Sequence, residues 1–224
     1  MKNIGFIGVG TMGFPMALNL IKNGHSLSFY DPFANNKTIE ALIEAGAKQE
    51  KTIADLCKSK DFLISMLPIG ENVKEVAVGE GGIINQDNTD LIYIDMSTIL
   101  PADSIDVSKQ LQTKNIQMFD APVARLVNNA IDGTLLIMVG GSLQDFPKID
   151  EILKCMGSDV VYCGAIGSGS KMKVINNYMA IVSNIVTAET LSLVHKSGID
   201  QKLAIELMST TAAGKGHMNF SYPK

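Results

Sequence analysis

The stretch "KNIGFIGVGTMGFPMALNLIKNGH", residues 2–25, constrains the fold more than any other part of the chain. "KNIGFIGVG" reads as a buried strand running into a glycine turn, and "TMGFPMALNLIKNGH" as the helix that follows. Gly8, Gly10 and Gly13 spell G-x-G-x-x-G between the two. The first glycine suits a tight turn, the second a close approach of backbone to a pyrophosphate, and the third close packing of helix on strand. The helix start then offers free N–H groups and partial positive charge to the phosphates. The next short strand, "SLSFYD", ends at Asp31, 18 residues after Gly13. A carboxylate there accepts both hydroxyls of the adenosine ribose and repels a 2′-phosphate, so the pattern predicts a site for NAD(H) rather than NADP(H). An ordinary βαβ turn explains the glycines but not the position of the acid.

The alternation continues. Helical patterns cover 36–46 and 51–57; the strand "DFLISML" and a helix after "PIGENV" follow, then the strand "DLIYIDM" and a helix over 101–114 with Pro101 in its first turn. "IQMFDAPV", "GTLLIMVGG" and "DVVYCG" read as further strands, with "SLQDFPKIDEILKCMG" a helix between the last two. Strands alternating with helices imply an α/β fold with a doubly wound, mainly parallel sheet. After Cys163 the glycine-rich "GAIGSGS" leads into helical periodicity alone, near 169–196 and 200–210. The expected domains are therefore 1–163, which binds the dinucleotide, and 164–224, a long helix with part of an all-α domain.

Several functions are disfavoured. A net charge of −4 without a basic stripe argues against nucleic acid. The apolar run Val174–Val194 is interrupted by Asn176, Asn177, Asn184 and Glu189, which suits a helix packed between protein bodies rather than a bilayer span. Cys57, Cys155 and Cys163, and His25, His195 and His217, are scattered. That fits reduced thiols in a cytoplasmic protein without a metal site.

"GAIGSGSKMKVINN", residues 164–177, places glycines ahead of a helix carrying Lys173, Asn176 and Asn177. Their i, i+3, i+4 spacing puts an ammonium and two amides on one helix face, with Lys171 turned roughly to the other side. An ammonium so placed suits a reduction, because charge develops on the carbonyl oxygen and a nearby acid stabilises it and gives up a proton. A solvated lysine with asparagines packed on the hinge is the plainer alternative.

With "SMLP" (65–68), "IDMSTI" (94–99), "DAPV" (120–123) and "GTLLIMVGG" (133–141), these segments run in one order along nearly the whole chain. In them the chain resembles the β-hydroxyacid dehydrogenase family, which includes 3-hydroxyisobutyrate dehydrogenase. The resemblance implies a Rossmann domain joined by a long helix to an all-α domain, incomplete here because the family continues for several helices beyond "SYPK". It implies hydride transfer with NADH and Lys173 as the catalytic acid/base. Asn177, with Asn176, Tyr178, Met179 and Ala180, would hold the substrate, and Thr11, Met12, Leu67 and Thr98 would line the cofactor. A homo-oligomer, dimer or tetramer when full length, is expected.

One segment departs from the general pattern. Members acting on small carboxylates carry Ser-Gly-Gly after "DAPV", whereas this chain has Ala124, Arg125 and Leu126. Arg125 is the only arginine among nineteen basic residues. A planar fork of donors suits a bidentate grip on an anion. The arginine and the "INNYM" and "TAAGKGH" (211–217) segments resemble the 3-sulfolactaldehyde reductase branch, which implies a sulfonate-ended aldehyde as substrate. Three alternatives stay open: a carboxylate-specific member acting on 3-hydroxyisobutyrate, tartronate semialdehyde or 4-hydroxybutyrate; an NAD-binding module without catalysis; and, for Arg125 itself, a surface pairing with an acid such as Asp120. His217 carries no expected role.

Overall fold

A computed structural model describes residues 1–87, 90–211 and 214 of the chain. In chain order its elements are β1 (Asn3–Ile7), α1 (Gly13–Lys22), β2 (Ser26–Tyr30), α2 (Asn36–Glu44), β3 (Lys48–Gln49), α3 (Ile53–Cys57), β4 (Phe62–Ser65), α4 (Gly70–Val78) and β5 (Ile92–Asp95). There follow α5 (Pro101–Gln112), β6 (Gln117–Asp120), β7 (Val123–Ala124), α6 (Val127–Ile131), β8 (Leu135–Gly140), α7 (Phe146–Lys154), β9 (Gly157–Gly164), α8 (Ser168–Lys196) and α9 (Gln201–Thr210). The sheet runs β3-β2-β1-β4-β5-β6-β8-β7, with β9 paired to β8. Pairing is parallel from β3 to β6 and antiparallel where β8 meets β6 and β7. This is the expected doubly wound, mainly parallel α/β sheet. The order reverses between β1 and β4, and ligands of such sheets bind in the crevice outside the strand ends at that reversal.

The period-2 alternation of the strands explains the two cores. Ile4 and Phe6, Phe62 and Ile64, Ile94, and Phe119 point to one face, with Met16 and Leu20 of α1. Ile7, Leu63, Tyr93 and Met118 point to the other, with Val107 and Leu111 of α5. The alternation delivers polar side chains to the second face at the strand ends: Ser65, Asp95 and Asp120 are in register on β4, β5 and β6, and all three are buried.

Two short elements, β3 and α6, are not foreseen in the sequence, and "IQMFDAPV", expected as one strand, is divided into β6 and β7. β3 holds two residues at the sheet edge, and α6 a single turn, too little for a hydrophobic period to register. The chain divides into two compact units, Met1–Lys173 and Val174–Lys224, a division that falls within α8. Among the described residues no helix is long and apolar enough to cross a membrane.

Candidate active site

The glycine turn leaves β1 at the reversal of strand order. Gly8 has φ +87°, and a Cβ there would lie 2.5 Å from the Met66 carbonyl oxygen. A Cβ on Gly13 would stand 2.0 Å from the Gly8 carbonyl oxygen, so α1 packs against the turn only because that atom is missing. Gly10 is different: a Cβ would meet nothing within 4 Å. Steric need inside the protein explains the first and third glycines, and the second borders open space, as the close approach of a pyrophosphate to backbone requires. No side chain caps α1 and its first turn holds no acid, so its N-terminal charge is left for an anion.

Asp31 follows β2 and ties the turn in place. Its Oδ2 accepts from Val9 N–H at 2.9 Å, and its Oδ1 from Phe33 N–H at 2.9 Å. Each oxygen keeps a lone pair for a ribose hydroxyl. Leu67 and Thr98 follow the ends of β4 and β5, the next two strands; Leu67 N–H donates to Ser97 Oγ at 2.9 Å, and Thr98 is exposed. Thr11 is exposed and Met12 half-buried at the entry to α1. The proposed cofactor residues thus follow the carboxyl ends of β1, β2, β4 and β5, and the donor set fits a dinucleotide.

α8 carries the proposed reacting group. Lys173 is half-buried, and burial holds its ammonium below the ordinary lysine range. Lys171 is exposed. Along the same helix, Asn176 and Asn177 follow by three and four residues, on the face of Lys173. Asn177 is half-buried, while Asn176, Tyr178, Met179 and Ala180 are exposed. The "GKGH" segment, His217 included, lies outside the described residues apart from Gly214.

Arg125 stands just past β7 with φ +82°. Its guanidinium pairs with Asp159 at 2.7 Å and donates to Thr134 O at 2.6 Å and Ser158 Oγ at 2.9 Å. The suggestion that Asp120 would be its acidic neighbour is corrected. Asp120 points into the protein, and β9 supplies the carboxylate because it runs beside β8, which lies next to β7.

The sequence does not reveal what Asp120 and Asp95 hold. Asp120 is 1% exposed; its Oδ1 accepts from Gly167 N–H at 2.6 Å and its Oδ2 from Ser170 N–H at 2.7 Å. Asp95 Oδ1 accepts from Ser65 Oγ at 2.7 Å and Ser97 N–H at 3.1 Å, and burial, with Asp120 contributing, pushes its carboxyl up to about 6. The available signal was an acid ending each of two buried strands; what it faced depended on partners up to 50 residues away. Among the described residues, no three His, Cys, Asp or Glu side chains come together as a metal site.

Comparison with known proteins points the same way. Residues 3–164 match the NAD binding domain of 6-phosphogluconate dehydrogenase, and residues 167–224 match the NAD-binding region of NADP-dependent 3-hydroxyisobutyrate dehydrogenase. The chain is 40% identical over 223 residues to 3-sulfolactaldehyde reductase of Escherichia coli, covering all of this chain and 74% of that protein. It is also 40% identical over 209 residues to the mitochondrial 3-hydroxyisobutyrate dehydrogenase of Rattus norvegicus, covering 93% of this chain and 62% of that one. The solved structure of Mycobacterium tuberculosis 3-hydroxyisobutyrate dehydrogenase with L-serine superposes with a TM-score of 0.86 at 29% identity, over 95% of this chain and 72% of that one.

Proposed function

The chain belongs to the β-hydroxyacid dehydrogenase family of NAD-dependent oxidoreductases, and on that premise we propose that it reduces 3-sulfolactaldehyde to 2,3-dihydroxypropane-1-sulfonate with NADH, a step of sulfosugar breakdown. The observation that carries the reaction is the half-buried Lys173 with its weakened hold on a proton. The glycine turn and Asp31 hold the dinucleotide, whose reduced nicotinamide supplies the hydride when bound. Lys173 donates a hydrogen bond to the carbonyl oxygen, stabilises the charge that develops there and delivers the proton that completes the alcohol. Asn177 orients the substrate from the same helix face.

Arg125 is the reason for choosing a sulfonate. A sulfonate is ionised at any relevant pH and offers three oxygens to a planar fork. A carboxylate-ended aldehyde is the second reading, because Arg125 already grips a carboxylate, that of Asp159. The same proposal includes a cytoplasmic homo-oligomer, supported by the exposed apolar side chains Ile181, Ile185 and Val186 on α8; nucleic acid and membrane are no part of it.

Oxidation of NADH, and of NADPH in parallel, followed with 3-sulfolactaldehyde, succinic semialdehyde and methylmalonic semialdehyde, tests the reading. We expect the sulfonate with NADH to give the highest kcat/KM. A carboxylate substrate that equals or exceeds it replaces the sulfonate reading with the carboxylate one.

A further inference from the structure

The start of α8 is held from below by a carboxylate. We propose that Asp120 is a positioning residue for the reaction, fixing the first turn of α8 and thereby where Lys173 stands; this rests on Lys173 being the acid/base. The backbone N–H groups that open a helix have no partners within it. Here Gly167, just before α8, and Ser170, within its first turn, both donate to the one Asp120 side chain, at 2.6 and 2.7 Å. Bonds to an ionised acceptor are short and about twice as strong as neutral ones. Two of them to one planar group set both the rotation and the height of a helix start.

The surroundings are shaped to this group. A Cβ on Gly140 would lie 2.3 Å from Asp120 Oδ1, and one on Gly169 would lie 2.2 Å from the Met138 carbonyl oxygen and 2.8 Å from that of Asp120. Gly167 has φ +85°. Three glycines thus let the turn come down onto the carboxylate. Ser170 Oγ shares a buried hydrogen bond with Ser104 Oγ of α5 at 3.1 Å, a third tie on the same turn. Lys173 is three residues on from Ser170, about 4.5 Å along the axis. Movement of the first turn therefore carries directly to its side chain.

The test is steady-state kinetics on the full chain for Asp120→Asn, which keeps shape and one acceptor oxygen but loses the charge, with NADH affinity measured by fluorescence. We expect kcat to fall about 10- to 100-fold, with the NADH Kd within about twofold of the parent because the Asp120 side chain bonds the start of α8 rather than the turn before α1. Combined with Lys173→Ala, Asp120→Asn should cost nothing further, since a positioning residue has no effect once the group it positions is gone. Gly169→Ala leaves the charge but lifts the turn from Met138, and should reproduce the loss in kcat; it carries the test if Asp120→Asn fails to bind NADH. A parent-like kcat in Asp120→Asn or, where that variant does not fold, in Gly169→Ala overturns the proposal, as does a full additional loss in the Lys173→Ala background. A parent-like kcat in Lys173→Ala alone overturns the assignment of the acid/base instead, so the two failures are distinct.

Discussion

Two glycine-rich turns lead into helices in this molecule, and they end differently. The turn before α1 leaves its helix uncapped, with open space above Gly10. The turn before α8 is filled from within, by Asp120 on Gly167 and Ser170. One helix start is kept for a ligand, and the other is closed so that a side chain further along is held in place. Both carry three glycines, spaced G-x-G-x-x-G leading into α1 and in the reverse order, G-x-x-G-x-G, leading into α8. What separates them is whether an internal acid reaches the free N–H groups, and that depends on the strand on which the acid ends.

The largest effect that sharpens this contrast belongs to Lys173. Lys173→Ala should lower kcat about 10²- to 10⁴-fold, the usual range for a positioned acid, and leave NADH binding near the parent value. Lys171→Ala, on the exposed side, should be close to normal. Because burial lowers the Lys173 pKa, its ammonium form is lost on the alkaline side sooner than an ordinary lysine would lose it. Aldehyde reduction should therefore decline as pH rises, with a midpoint below the ordinary 10.5. A decline centred at or above that value, or damage from Lys171→Ala in place of Lys173→Ala, breaks the assignment.

A second, smaller effect tests the open turn. Gly10→Ala adds a methyl group that meets no protein atom, so the melting temperature should hold or rise slightly. The same methyl should intrude on a pyrophosphate and weaken NADH about tenfold to a hundredfold, as overfilling of a close-packed site does. Gly13→Ala should instead damage the fold, given the 2.0 Å approach to Gly8 O. Equal NADH binding in Gly10→Ala and the parent would mean that the phosphates do not sit on this turn.

These contrasts also mark how far the sequence could be read. The α1 turn was legible because strand, glycines, helix and Asp31 lie within one βαβ unit, where spacing alone dictates geometry. The Lys173, Asn176, Asn177 face was legible for the same reason, since helical periodicity is local. Asp120 was visible as the acid of "DAPV" but not interpretable: its partners, Gly167 and Ser170, lie 47 and 50 residues on. The surroundings of Arg125 were misjudged through topology. β9 runs in beside β8 and brings Asp159 and Ser158 within reach, and nothing in the local pattern announces that pairing.

The smallest effect concerns that pairing, and it bears on the substrate. In the structure Asp159 occupies the guanidinium that the proposed reading assigns to the sulfonate. A substrate anion then has to take Arg125 from Asp159, and the exchange is close to even, one anion for another at an exposed site. Asp159→Asn removes the competing charge while retaining its size. It should lower the KM for 3-sulfolactaldehyde by about threefold, with kcat unchanged, because only binding of the remote anionic end is affected. The Ser158 hydrogen bond, and after it the Arg125 guanidinium, hold the Asp159 carboxyl below the usual carboxylate range, so it stays ionised and competes across the neutral range. The parent KM should then approach that of Asp159→Asn only in acid, as pH falls through the lowered pKa. Arg125→Gly should raise KM by about tenfold and make Asp159→Asn silent, since no fork is left to release. If Asp159→Asn raises KM, or acts equally with and without Arg125, the arginine serves to hold β9 against the turn after β7, and the anionic end of the substrate is read elsewhere.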